Sequence, residues 1–166
     1  MAKRARSPRS DRHKQLPLTV LKQFRLIFGS VRQQFRQIEE KCGISGSQLW
    51  VLREVHDDPG IGVSALATKL SIHQSTCSQL VDTLAVHGFL IKVRLGDDQR
   101  RVGLSLTSMA KKVLAKAPGP AEGLLPKALS ELPTSSLLTL SVHLDKVVAA
   151  LKVKDKAHAE RPLADL

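Results

Sequence analysis

The centre of this sequence sets two short helical stretches on either side of a three-residue turn and follows them at once with a hairpin pattern, an order few folds accept. Ala65 to Leu70 presents Leu66 and Leu70 on one face, and Ser64 before it is a good N-cap. Ser71-Ile72-His73 leaves room only for a tight turn. A longer stretch from about Gln74 to His87 turns Cys77, Leu80, Val81 and Leu84 inward at helical spacing, and Gly88 stops it. Phe89 to Arg94 and Val102 to Thr107 are apolar and β-branched, and the polar run Leu95-Gly96-Asp97-Asp98-Gln99-Arg100-Arg101 separates them as a hairpin turn. Helix, turn, helix and a hairpin with a basic tip make a winged helix-turn-helix. Two helices and a turn alone are common in proteins that never touch DNA. The hairpin decides the matter, because a plain surface turn leaves Arg94, Arg100 and Arg101 unexplained.

The flanks of this centre are helical. From Leu18 to Cys42, residues Leu21, Phe24, Phe28, Val31, Phe35 and Ile38 recur every three or four positions, and Gly43 ends the pattern. A second helix is expected from near Ser47, carrying Leu49, Leu52 and Val55 inward, and Asp57-Asp58-Pro59-Gly60 breaks it before a short extended piece, Ile61 to Val63. Beyond the hairpin, Ser108 to about Ala117 reads as a helix that either kinks or breaks at Pro118-Gly119-Pro120, with more helix from Ala121 to Ser130 around Pro126. Thr134 is expected to cap a last helix reaching about Lys152, where Leu137, Leu140, Leu144, Val147 and Leu151 repeat the stripe. Each terminal stripe could complete a core within the chain, but one compact domain rarely needs two. A dimer through Leu21, Phe24, Leu137, Leu140 and Leu144 uses both. The expected fold is mainly α (α+β): a winged helix-turn-helix with a helical dimerisation region formed by the N- and C-terminal helices. Its parts are a basic disordered tail (1–16), a dimerisation helix (17–45), the DNA-binding lobe (46–107), C-terminal dimerisation helices (108–153) and a frayed tail (154–166).

Charge narrows the partners. A net charge of +11 and a pI near 10.1 exceed what solubility requires and suit a polyanion, nucleic acid or anionic membrane. No apolar run approaches the roughly 18 residues of a membrane helix, and the opening MAKRARSPRSDRHK has no apolar stretch behind it, so no signal peptide is expected. Aromatic residues are 3% of the chain, with no tyrosine, which argues against a single-strand binder stacking bases on aromatic platforms. On charge alone a duplex nucleic acid and an anionic membrane surface both stay open, and the winged-helix pattern favours the duplex. The tail contributes Lys3, Arg4, Arg6, Arg9, Arg12 and Lys14 against only Asp11, either as a solvated arm or as a phosphate contact. Two cysteines, Cys42 and Cys77, make no disulfide framework and suit a cytoplasmic protein; Cys77, facing inward, reads as a small buried hydrophobe. The six histidines are scattered without ligand spacing, and no catalytic constellation or phosphate-cradling glycine loop appears, so neither enzyme activity nor a cofactor is expected.

At the hairpin the residues also resemble a known family. Asp98-Gln99-Arg100, five residues, then Leu106-Thr107 is similar to the D-x-R-x(5)-L-T pattern of the MarR family of bacterial regulators. Gln48-Leu49-Trp50-Val51-Leu52, Val63-Ser64-Ala65-Leu66-Ala67, Ser75 to Asp82 and Gly88-Phe89-Leu90 resemble further family segments, in order over roughly residues 18 to 152. The resemblance implies a triangular homodimer, based on the first and last helices, that sets two winged helices on one face of DNA. It implies a repressor more often than an activator, a small-molecule effector, and a pocket for it between dimer helices and DNA-reading lobe, near Trp50. It places Gln74, Ser75, Thr76, Ser78 and Gln79 at base edges or phosphates, Arg94, Arg100 and Arg101 at phosphate or minor groove, and Asp98 as the residue restraining Arg100. In one respect the chain departs from the pattern. Many relatives carry arginine where this chain has Gln74 and Gln79, and glutamine prefers adenine where arginine prefers guanine. The target sequence therefore does not transfer with the motif.

Overall fold

The computed structural model describes residues 8–94, 102–152 and 157–165. Helix α1 spans Pro8–Cys42, α2 Gly46–Asp57, α3 Val63–Leu70 and α4 Gln74–Val86; strands β1 (Leu90–Arg94) and β2 (Val102–Leu106) follow, then α5 (Ser108–Lys116), α6 (Leu124–Ser130) and α7 (Thr134–Ala150). Two 3-10 turns, Ala157–Glu160 and Leu163–Asp165, complete the described chain. The mainly helical winged helix-turn-helix expected from the sequence is the fold observed.

The core gathers one face from each element of the central lobe. Leu49, Val51, Leu52 and Val55 of α2 meet Leu66 of α3, Cys77, Val81 and Leu84 of α4, and Leu90 and Leu104 of the sheet, all fully buried. Burial of an aliphatic side chain contributes about 1.5–3 kcal/mol, so this cluster sets the lobe's stability. Helix α2 starts with a capping box: Gln48 N–H donates to Ser45 Oγ at 3.2 Å and Ser45 N–H to Gln48 Oε1 at 2.9 Å.

The antiparallel sheet pairs Leu90 with Leu106 and Arg94 with Val102. The extended piece before α3 adds a third rung, as Gly60 N–H donates to the Leu104 carbonyl at 2.8 Å and Leu104 N–H to that of Ile61 at 3.0 Å. This close approach is why residue 103 lacks a side chain: a Cβ there would overlap the Gly60 carbonyl. Gly103→Ala is expected to destabilise the protein by about 1–3 kcal/mol, the usual cost of an overpacked site. An unchanged thermal midpoint would contradict that contact.

Several boundaries differ from expectation, each for a local reason. Helix α1 begins at Pro8, so residues 8–16 are helical where a disordered tail was expected. Proline suits a first helical turn, and the helix continues through Pro17 with Thr19 Oγ1 donating to the Gln15 carbonyl at 3.1 Å. Gly62, not Ser64, caps α3, because the chain turns into the helix directly from the Ile61 rung and the Gly62 carbonyl accepts Leu66 N–H. Pro133, not Thr134, caps α7: its carbonyl accepts the N–H groups of Ser136 and Leu137. The helix after the wing breaks rather than kinks, since Ala117 is extended and α6 starts only at Leu124. Within the C-terminal residues expected to fray, Ala157–Glu160 and Leu163–Asp165 form 3-10 turns and Pro162 is buried. Among the described residues no helix is long and apolar enough to cross a membrane.

Candidate nucleic-acid interface

Helix α4 is oriented by what it buries. Cys77, Val81 and Leu84 face the core, and that leaves Gln74, Ser75 and Gln79 exposed with Thr76 and Ser78 half-buried. Its first turn is held by His73, whose Nδ1 accepts Ser75 N–H at 3.3 Å and lies 2.7 Å from Ser75 Oγ. The Ser75 hydroxyl is thus engaged with the turn. Gln74 and Gln79, five positions apart, project polar amides from a rigid support.

Cys77 Sγ lies 3.6 Å from the Val63 carbonyl, and desolvation pushes its thiol up to about 11. It stays protonated at neutral pH and joins α4 to α3 as a small apolar wedge. Burial, opposed by Lys41 and Lys116, also raises the Cys42 thiol.

The wing is set against the helix by an ion pair. Lys92 Nζ on β1 reaches Asp82 Oδ1 on α4 at 2.8 Å. Both side chains are exposed, so the pair adds little stability; it links strand and helix at the surface. Arg94 ends β1 on the exposed surface. Asp98, Arg100 and Arg101, expected at the hairpin tip, lie outside the described residues. At the hairpin's base Thr107 joins three elements: its N–H donates to the Phe89 carbonyl at 3.0 Å, its hydroxyl to that of Gly88 at 2.8 Å, and the same oxygen caps α5 by accepting Ala110 N–H at 3.3 Å. The Leu-Thr of the sequence motif therefore has a structural task.

Away from this surface, an apolar cleft lies between α1, α2 and α6, lined by Val31, Phe35, Trp50 and Leu125 and partly filled by Leu163 and Ala164. Gln34 crosses its floor buried but satisfied, donating to the Pro120 carbonyl at 2.9 Å and accepting Leu124 N–H at 2.8 Å. Trp50 Nε1 donates to Glu54 Oε1 at 3.1 Å. Among the described residues no group of three or more His, Cys, Asp or Glu is arranged to hold a metal ion. Of the residues expected at a dimer contact, Leu21, Leu140 and Leu144 are exposed and Phe24 and Leu137 half-buried; the Phe24 and Phe28 rings stack 6.3 Å apart.

Two contributors escaped sequence reasoning. The capping by His73 carried a signal in its position just before the helix, but histidine is not among the preferred caps. The Lys92–Asp82 pair carried none, since only the fold brings strand and helix together.

Comparison with known proteins gives one family and one fold. The MarR family model matches residues 44–102. The S. aureus MepR–DNA complex superposes with a TM-score of 0.54 at 19% identity, over 77% of this chain and 93% of that one. YusO of Bacillus subtilis gives 0.52 at 20% identity, over 82% and 97%, and the regulator BldR of Sulfolobus solfataricus 0.51 at 23%, over 87% and 99%. No curated protein matches the chain. The resemblance first met in the wing motif is matched by the family model over residues 44–102, and the fold is the winged helix-turn-helix of these regulators.

Proposed function

We propose that the protein is a sequence-specific regulator of transcription that binds double-stranded DNA as a homodimer. The observation that carries this reading is the exposed polar face of α4, with Gln74 and Gln79 backed by a fully buried face and flanked by Arg94 on the wing. The match to the MarR family and the likeness to a MepR–DNA complex support it. In this reading 46–107 is the DNA-binding lobe, while 17–45 and 108–153 build the dimer base. The operator is an inverted repeat with half-sites about one helical turn, ~10 bp, apart. Repression, relieved when a small molecule favours a subunit spacing unlike that of the DNA-bound dimer, follows by linkage.

Within the site the roles divide. Ser75, Thr76 and Ser78 position the helix on the backbone. Gln74 and Gln79 read major-groove edges, where a bidentate contact discriminates by about 1–3 kcal/mol. Arg94, Arg100 and Arg101 meet phosphate or the minor groove, with Asp98 restraining Arg100. Selection of DNA from a random pool by the purified protein is the primary test. An enriched inverted repeat is expected, and failure to enrich any motif would instead favour a winged-helix module for protein contacts.

The division itself is tested by titrating two variants at several salt concentrations. Arg100→Ala is expected to weaken binding to selected and scrambled duplexes alike and to make the slope of log K against log salt shallower by about 0.9. Gln79→Ala should leave that slope nearly unchanged while lowering the preference for the selected sequence. Loss of specificity alone in Arg100→Ala would reverse the assignment.

A further inference from the structure

The C-terminal segment touches both regions of the molecule described above. Leu163 and Ala164 line the apolar cleft with Phe35 and Trp50, Leu163 still 42% exposed and Ala164 half-buried, and Pro162 before them is buried. Two residues earlier in the chain, the Glu160 carbonyl accepts the backbone N–H of His73 at 3.1 Å, and His73 is the cap of the recognition helix α4. Glu160 itself is exposed and shares a shallow groove with Ser64, Thr68, Ser71 and Gln74. An acidic residue thus stands beside the reading end of α4 in a chain whose net charge is +11.

That position matters to DNA. A duplex seated on Gln74 and Ser75 brings phosphates to the helix-turn-helix groove, where the carboxylate repels them and the segment's backbone takes up space. The N–H of His73 is also already satisfied by the Glu160 carbonyl. We propose that residues 157–165 form an autoinhibitory strap: anchored in the apolar cleft, the strap lies across the helix-turn-helix and sets Glu160 in the path of DNA phosphate, so that binding must displace it. The inference rests on the DNA-binding reading above.

Three variants test it: the chain ending at Lys152, and the full-length Leu163→Asp and Glu160→Gln. Each is titrated by fluorescence anisotropy against a selected and a scrambled duplex, and hydrogen exchange at the His73 amide is followed without DNA. If the strap is closed about nine parts in ten, its removal tightens binding to both duplexes about tenfold, because apparent affinity scales with the competent fraction. Leu163→Asp, which dislodges the anchor, should approach that gain, and Glu160→Gln should give a smaller one. The His73 amide should exchange faster in the truncated chain and in Leu163→Asp. The strap is refuted if full-length protein binds DNA and none of the variants binds more tightly, or if His73 exchange is unchanged by dislodging the anchor. Should the shortened chain fail to fold, the two full-length variants decide. If neither full-length protein nor any folded variant binds either duplex, the DNA-binding reading fails first and the strap's role falls with it.

Discussion

Replacing Leu140 and Leu144 together by aspartate is expected to leave a monomer of 18.2 kDa and to lower operator affinity by about 10²–10⁴-fold, the loss that follows when two linked sites become one. The expectation comes from what α7 leaves uncovered. The helix has no fully buried residue. Leu138, Val142 and Leu151 are more than half exposed, with Leu140, Leu144, Val147 and Val148 between 36% and 47%. Helix α1 adds Leu18, Leu26 and Phe28, all exposed by more than half. Exposed apolar residues gathered on two helices are what a subunit contact would cover, as the dimer proposal requires. Two aspartates on that surface would each lose hydration at a subunit contact, a cost far above the stability of a modest interface. Sedimentation at micromolar concentration should show twice the chain mass for the parent and the chain mass for the variant, with circular dichroism unchanged. A parent that sediments only as an 18.2 kDa species would end the dimer reading.

Leu84→Ala should have the largest effect on stability among single substitutions on the reading helix, about 2–5 kcal/mol. Leu84 is 0% exposed and lies at the last inward position of α4, in the buried cluster that also holds Leu90 and Leu104 of the sheet and Leu49, Leu52 and Val55 of α2. Truncation there removes contacts from three elements and leaves a cavity that antiparallel strands and a short helix cannot collapse to fill. Against a typical stability of about 5–15 kcal/mol, the loss reaches the orientation of Gln74 and Gln79 as well as the midpoint. Denaturant titration measures it, and a cost below about 1 kcal/mol would mean the site relaxes more freely than its burial indicates.

How much of this was legible beforehand depended on whether the signal was local. Of the inward set expected from spacing, Cys77, Val81 and Leu84 are buried and Leu80 is half-buried against the same core, and the hairpin followed from polar residues between two apolar runs. The Ser45–Gln48 capping box is a local signal, three residues apart, that the expectation of a helix from near Ser47 did not use. Contacts across the chain left no such trace. Gly103 reads as an ordinary strand glycine until Gly60 is brought beside it, and Lys92 and Asp82 are ten residues apart on different elements. The place of the C-terminal segment was illegible for a related reason: Pro162, Leu163 and Ala164 show no periodicity, and only the fold brings them to the cleft beside Phe35. Helix α1 extended past Pro17 because proline's cost is a single lost bond and a local clash, which neighbouring turns absorb.

The Thr107 side chain has a mechanical consequence. Because one hydroxyl is bonded both to the exit of the reading helix and to the first turn of α5, those two helices share a pivot. Helix α5 leads on through the non-helical residues 117–123 toward α6 and α7, so a tilt that reaches α5 has a short lever arm to the wing. A change of a few degrees at the base would therefore appear at the reading end as a rotation of helix and hairpin together rather than as a bend between them.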